Sequence, residues 1–140
     1  MATLDEDVLT VAQTVWGEAR GEPWEGMIAV AWVIRNRVDT DLGSDRKPDW
    51  WGEGYKEVCL KPYQFSCWRD IPTLYTKTPK DLGACYKAAE AVLEGIEEDP
   101  TEGATHYHTI KKPRWASVWP PKWVKTLTST VRIGGHVFYQ

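Results

Sequence analysis

The sequence predicts an α+β fold, mostly helical with a small antiparallel β element. Three observations carry that prediction: a helical period from Asp5 to Val38, a capped helical stripe between Thr78 and Gly95, and β-like texture beyond Pro100. Between Asp5 and Ala19, residues Val8, Val11, Ala12, Val15 and Trp16 share one face of an amphipathic helix. Gly21 to Pro23 ends it, and Pro23, which has no N–H to leave unbonded, suits the first turn of the next helix. From Trp24 to Val38 the chain is apolar almost all round, through Met27, Ile28, Ala29, Val30, Ala31, Trp32, Val33 and Ile34. Such a segment is a helix buried on most sides, and it is read as the core. Asp39 to Tyr75 mixes Gly, Pro, Asp and aromatic residues without a sustained period, which predicts loops with short irregular pieces. A loop this long in a compact domain is usually functional.

Thr78-Pro79-Lys80-Asp81 then supplies an N-cap and first turn, Leu82, Cys85, Tyr86, Ala89 and Leu93 form a stripe, and Gly95 closes a third helix. Ala104 to Ile110 and Val131 to Tyr139 are strand candidates, the second broken by Gly134-Gly135 as a hairpin turn. A Pro- and Trp-rich loop, Pro113 to Trp123, lies between them. No repeat or linker divides the 140 residues, so the chain is read as a single domain, 1–140.

Composition narrows the function. Hydrophobic residues at 42% and charged residues at 26% suit a folded soluble protein, and a net charge of −3 argues against nucleic acid as a partner. The one basic cluster is Lys111, Lys112 and Arg114. No apolar run approaches the roughly 18 residues of a membrane span, so no membrane partner is expected, and a monomer is. The N-terminus is acidic and shows no apolar segment of a secretion signal, which predicts a protein held in the cytoplasm until released to its site of action. Cys59, Cys67 and Cys85 match no zinc-ribbon spacing and are read as reduced, partly buried thiols. Nine Trp in so short a chain imply either a dense core or a groove in which rings stack on sugars. Trp16 and Trp32 lie in helical patterns, whereas Trp50, Trp51, Trp115, Trp119 and Trp123 lie in loops.

The strongest local feature is Gly17-Glu18-Ala19-Arg20-Gly21-Glu22-Pro23, at the junction of the two helices. Glu18 follows Val15 by three positions and Trp16 by two, which sets a carboxyl beside apolar groups. Such surroundings favour the protonated form that a general acid needs, and cleavage of a glycosidic bond needs that proton on the leaving oxygen. From spacing alone, Glu18 fits a solvated helix end, paired with Arg20 or capping the next helix, better than it fits a catalytic acid. Glu22 is placed more simply to complement the positive end of the second helix. His106 and His108 alternate on a candidate strand and His136 sits on another; three histidines suit an open zinc site, though no His-Glu-x-x-His spacing accompanies them.

Taken in order, Glu18-Ala19-Arg20-Gly21-Glu22-Pro23-Trp24-Glu25-Gly26, Asn36-Arg37-Val38, Gln64-Phe65-Ser66-Cys67, Gly103-Ala104-Thr105-His106-Tyr107, Pro113-x-Trp115 and Ile133-Gly134-x-His136-x-Phe138-Tyr139 resemble the SleB-type cell wall hydrolases, the spore cortex-lytic enzyme family. The resemblance implies a lysozyme-like domain related to lytic transglycosylases and a substrate in the glycan strands of bacterial peptidoglycan. It implies cleavage of the β-1,4 bond between N-acetylmuramic acid and N-acetylglucosamine, with Glu18 as the catalytic acid and no cofactor or metal. Gln64, Ser66, Tyr107, Trp115 and His136 match its motif positions and are expected to bind substrate. The absence of a leader resembles a phage endolysin, with a role in host lysis. Arg46 to Tyr55, with Trp50-Trp51, is richer in aromatics than the family pattern. Two other classes stay open beside this one: a zinc amidase or peptidase using His106, His108 and His136, and a non-catalytic glycan-binding module built on Trp stacking.

Overall fold

The computed structural model describes residues 3–40 and 51–140. Trp50, and the first half of the aromatic-rich segment Arg46 to Tyr55, lies outside the described residues. Helix α1 (Leu4–Ala19) starts from a reciprocal capping box: the Thr3 hydroxyl accepts from the Glu6 N–H, and the Glu6 carboxylate accepts from the Thr3 N–H. Helix α2 (Trp24–Thr40) follows after a short turn. The segment read as irregular contains helix α3 (Gly54–Leu60), the single turn α4 (Cys67–Asp70) and a 3₁₀ turn, Leu74–Thr76. These pieces are too short to show a helical period in the sequence.

The predicted third helix is two, α5 (Pro79–Leu82) and α6 (Ala84–Leu93), because Gly83 stands between them at φ +53° and ψ −123°. Only a residue without a Cβ takes that conformation cheaply, so the chain changes direction there. The β element is a three-stranded antiparallel sheet of order β1-β3-β2, from β1 (His106–Thr109), β2 (Ser129–Ile133) and β3 (His136–Tyr139). Gly134-Gly135 forms the turn between β2 and β3, as the sequence predicted.

Two apolar clusters hold these layers. The larger joins Val8, Val11 and Val15 of α1 to Ile34 of α2, Val58 of α3, Leu74, and Ala88 and Val92 of α6. The smaller joins Ala29 and Val33 of α2 to Ala104 and Phe138, and it docks the sheet on the helical body. Because strand side chains alternate, Tyr107, His136 and Phe138 face the helices while His106, His108 and Tyr139 face the other way. That outer face is covered by Trp119 and Trp123, which lie 5.3 and 5.9 Å from His108, ring centre to ring centre. Trp16 and Trp32 rim the core, each half-buried under an arginine, with Arg20 4.3 Å above the first and Arg35 4.5 Å above the second. The three cysteines are unbridged and buried. Burial pushes the Cys85 thiol up to about 11 and that of Cys59 to about 12, so both stay protonated and pack as small apolar groups.

Candidate active site

Glu18 sits in the last turn of α1, and three distant parts of the chain converge on it. The first is α4. Gly17 lets the Cys67 side chain press against the α1 backbone, since a Cβ at residue 17 would meet Cys67 Cβ directly and its Sγ at 2.7 Å. Burial, then the neighbouring Glu18, holds the Cys67 thiol above its usual range.

The second is β1, which carries Tyr107 into the helices. The Tyr107 hydroxyl donates to Glu18 Oε1 at 2.6 Å. Burial first, then the Glu18 charge, raises the Tyr107 pKa well above its ordinary value, so the hydroxyl keeps its proton and remains a donor.

The third is α2, through Arg37. Its Nε donates to the Thr105 carbonyl at 2.8 Å and its Nη1 to Gln64 Oε1 at 3.4 Å, while the guanidinium lies 5.1 Å from the Phe65 ring centre. Burial lowers the Arg37 pKa to about 10 against the opposing pull of Tyr107, Cys59 and Glu18, which leaves it cationic at neutral pH. Arg37 escaped the sequence reading as a site residue. The available signal was its spacing, four after Val33 and three after Ile34, which puts a charge on the buried stripe of α2.

These groups line a cleft of about 710 Å³, whose walls include all six residues expected at the site: Glu18, Gln64, Ser66, Tyr107, Trp115 and His136. Trp115 is 81% exposed and Tyr63, which also lines the cleft, is 95% exposed. Both offer flat apolar faces to a ligand, and Tyr63 had no sequence signal. A smaller recess of about 470 Å³ continues past the carboxylate and shares Glu18, Thr109, Lys111 and His136 with the first. Among the described residues Glu18 is the one carboxylate of the larger cleft.

His136, expected to bind substrate, is the one buried residue of the six. It is 4% exposed, its Nδ1 lies 2.9 Å from Glu22 Oε1, and its ring stands edge-on to Tyr107 at 4.9 Å. Burial lowers its pKa, with Glu22 opposing. Glu22 also accepts from the Gly135 N–H at 2.9 Å. The carboxylate read as a helix-end charge therefore ties the α1–α2 turn to the β2–β3 turn and backs the wall behind Tyr107.

The register takes apart the three-histidine zinc set. His106 and His108 point to the Trp123 side of the sheet, at 4.9 and 5.9 Å from that ring, while His136 points to the helices. Among the described residues no group of three His, Cys, Asp or Glu is placed to hold a metal ion. His106 has a different consequence. Burial, and then Arg37, lowers its pKa to about 4, so the folded chain resists a proton that the unfolded chain accepts near pH 6.5. The contribution of neutral His106 to stability is fully present above about pH 6.5 and is lost as the pH drops from there towards 4. Discounted for the half of the ring that solvent screens, the loss from His106 between pH 7.5 and 5.5 is about 1 kcal/mol. Thermal melts at the two pH values should show His106→Gln losing about 3 °C less than the parent chain.

A fold and cleft of this build are those of a cell wall hydrolase. A family model described as Cell Wall Hydrolase matches residues 21–139, and the chain belongs to that family. Glu18 lies just ahead of the matched span. Within the family, the chain is 36% identical to the spore cortex-lytic enzyme of Halalkalibacterium halodurans over 135 residues, which is 96% of this chain and 34% of that protein. It is 33% identical to the spore cortex-lytic enzyme of Bacillus subtilis, over 96% of this chain and 37% of that one. The chain thus spans about a third of the length of these relatives. Its fold matches the catalytic domain of the Bacillus cereus SleB protein with a TM-score of 0.74 and 29% identity, covering 99% of this chain and 93% of that one. It also matches the catalytic domain of the germination-specific lytic transglycosylase SleB from Bacillus anthracis, with a TM-score of 0.72 and 30% identity over 99% and 97% of the two chains.

Proposed function

We propose that the chain cleaves the glycan strands of bacterial peptidoglycan at the β-1,4 bond between N-acetylmuramic acid and N-acetylglucosamine, as a lytic transglycosylase or muramidase serving bacterial lysis. The observation that carries this reading is the arrangement at Glu18: one carboxylate at the junction of two recesses, held through Oε1 by a tyrosine that cannot easily ionise.

Protonated Glu18 gives its proton to the glycosidic oxygen, the bond from that oxygen to the muramyl C1 breaks, and N-acetylglucosamine leaves as an alcohol. Glu18, now a carboxylate, takes the proton of the muramyl 6-hydroxyl as that oxygen closes on C1, giving a 1,6-anhydro end. Water in place of the 6-hydroxyl gives a reducing end. One carboxyl used twice needs no nucleophilic partner, which accords with the absence of a second carboxylate from the larger cleft among the described residues. Positive charge at C1 is met by the substrate's acetamido oxygen and by nearby polar groups. Gln64, Ser66 and Trp115 bind the strand. Tyr107 orients Glu18, and His136 and Glu22 position Tyr107. The likeness to a protein named a lytic transglycosylase supports the anhydro outcome over the reducing one.

Mass spectrometry of the soluble products from purified peptidoglycan tests the proposal. Anhydromuropeptides released with or without EDTA are expected, and reducing muramyl ends would make the enzyme a muramidase. Freed stem peptides would replace the proposal with an amidase or peptidase, and binding to sacculi without products would replace it with a glycan-binding module.

A further inference from the structure

Charge is distributed unevenly in this molecule. The chain as a whole carries −3, yet the larger cleft is lined by Arg37, Lys111, Lys112 and Arg114 against the single carboxylate of Glu18 among its described walls. Arg37 is buried and spoken for by Thr105 and Gln64. The other three are exposed, and the ion pairs among the described residues involve Arg35, Arg69 and His136 instead. Like charges crowded on one rim repel and add nothing to folding, so their placement points to a ligand.

The segment that carries them is anchored. The Thr109 hydroxyl donates to the Lys111 carbonyl at 2.8 Å, the Ile110 N–H donates to the Gly135 carbonyl at 2.9 Å, and a turn closes from the Ala116 N–H to the Pro113 carbonyl at 3.2 Å. Ala116 is buried. Lys111 lines both recesses, so the rim begins beside Glu18.

Resting on the function proposed above, we infer that Lys111, Lys112 and Arg114 bind the carboxylates of the peptide stem on the muramyl residue next to Glu18, and thereby select stem-bearing glycan. The β-1,4 glycan backbone itself is neutral and offers these cations nothing. The stem, attached through the muramyl lactyl group beside the bond to be cut, is a short flexible chain with several carboxylates. Cations on long side chains suit such a ligand, whose charges move with the peptide.

The test uses the Glu18→Gln chain, whose turnover is expected to be too slow to consume the strands during a binding measurement, and soluble glycan strands freed of phosphate polymers. Affinity is compared for intact stems and for stems whose carboxylates are coupled to methylamine. Intact stems should bind about tenfold tighter at low ionic strength, since exposed charge pairs are individually weak and three of them together supply an effect of that order. The preference should shrink at high salt. It should vanish when Lys111→Gln, Lys112→Gln and Arg114→Gln are added. Equal affinities, or a preference that survives the triple substitution, would overturn the inference. A preference seen only for strands that retain phosphate polymers would assign the rim to phosphate and overturn it too. Cleavage of the same strands by the parent chain is scored separately, so loss of the glycan-cleaving reading and loss of the stem reading give different results.

Discussion

Glu18→Gln is expected to lower the initial rate of product release from purified peptidoglycan about 10³-fold, within the range of roughly 10² to 10⁴ that a positioned general acid or base supplies. The substitution removes the proton that the leaving oxygen needs and the base that must later accept one. It leaves the geometry nearly intact, because an amide oxygen still accepts from the Tyr107 hydroxyl in place of Oε1. The melting temperature should therefore stay within about 2 °C of the parent, since the substitution conserves volume and keeps the hydrogen bond from Tyr107. A variant that retains more than about a tenth of the parent rate would remove Glu18 from the mechanism.

Gly17→Ala is expected to destabilise the fold by about 3 kcal/mol, at the upper end of the usual cost of overpacking. The new methyl would collide with Cys67 Cβ and lie 2.7 Å from its Sγ and 3.3 Å from Leu74 Cδ2. Neither neighbour can yield easily. Cys67 is 3% exposed and Leu74 is fully buried, both within the larger core cluster. Any relief must therefore move α4 away from α1, which also shifts the wall beside Glu18. Urea melts read the stability loss, and Cys67→Gly placed in the same chain should recover part of it by removing both colliding atoms. A Gly17→Ala chain with unchanged midpoint and slope would mean that α4 does not pack as described.

How far the sequence carried these conclusions depended on the range of the interaction. Helices α1 and α2 were legible almost to their ends because a buried face of 15 residues or more repeats its period several times. The helices α3 and α4, with seven and four residues, are too short to repeat one. The break at Gly83 was hidden because the apolar stripe runs through it, and the left-handed backbone there is a property of φ, not of hydropathy. Of the candidate site, the ordered motifs named Glu18, Gln64, Ser66, Tyr107, Trp115 and His136, and the cleft gathers all six. What each of them does was less legible. His136 lies buried against Glu22, and Glu22 bridges two turns. Arg37 came out as the guanidinium linking α2 to Gln64 and Thr105.

By itself, the sequence determined a mostly helical α+β chain with a small antiparallel sheet, and a family whose motifs it displays in order. Those properties are local: a period of 3.6, a cap, a glycine pair, a run of matched residues. Only the tertiary structure decided that the Tyr107 hydroxyl meets a carboxylate 89 residues away, that His136 faces away from His106 and His108, and that four lysine and arginine side chains line the cleft of an acidic protein. Strand register and helix packing set those contacts. Both are chosen by how whole faces bury together, and no single stretch of the chain contains that choice.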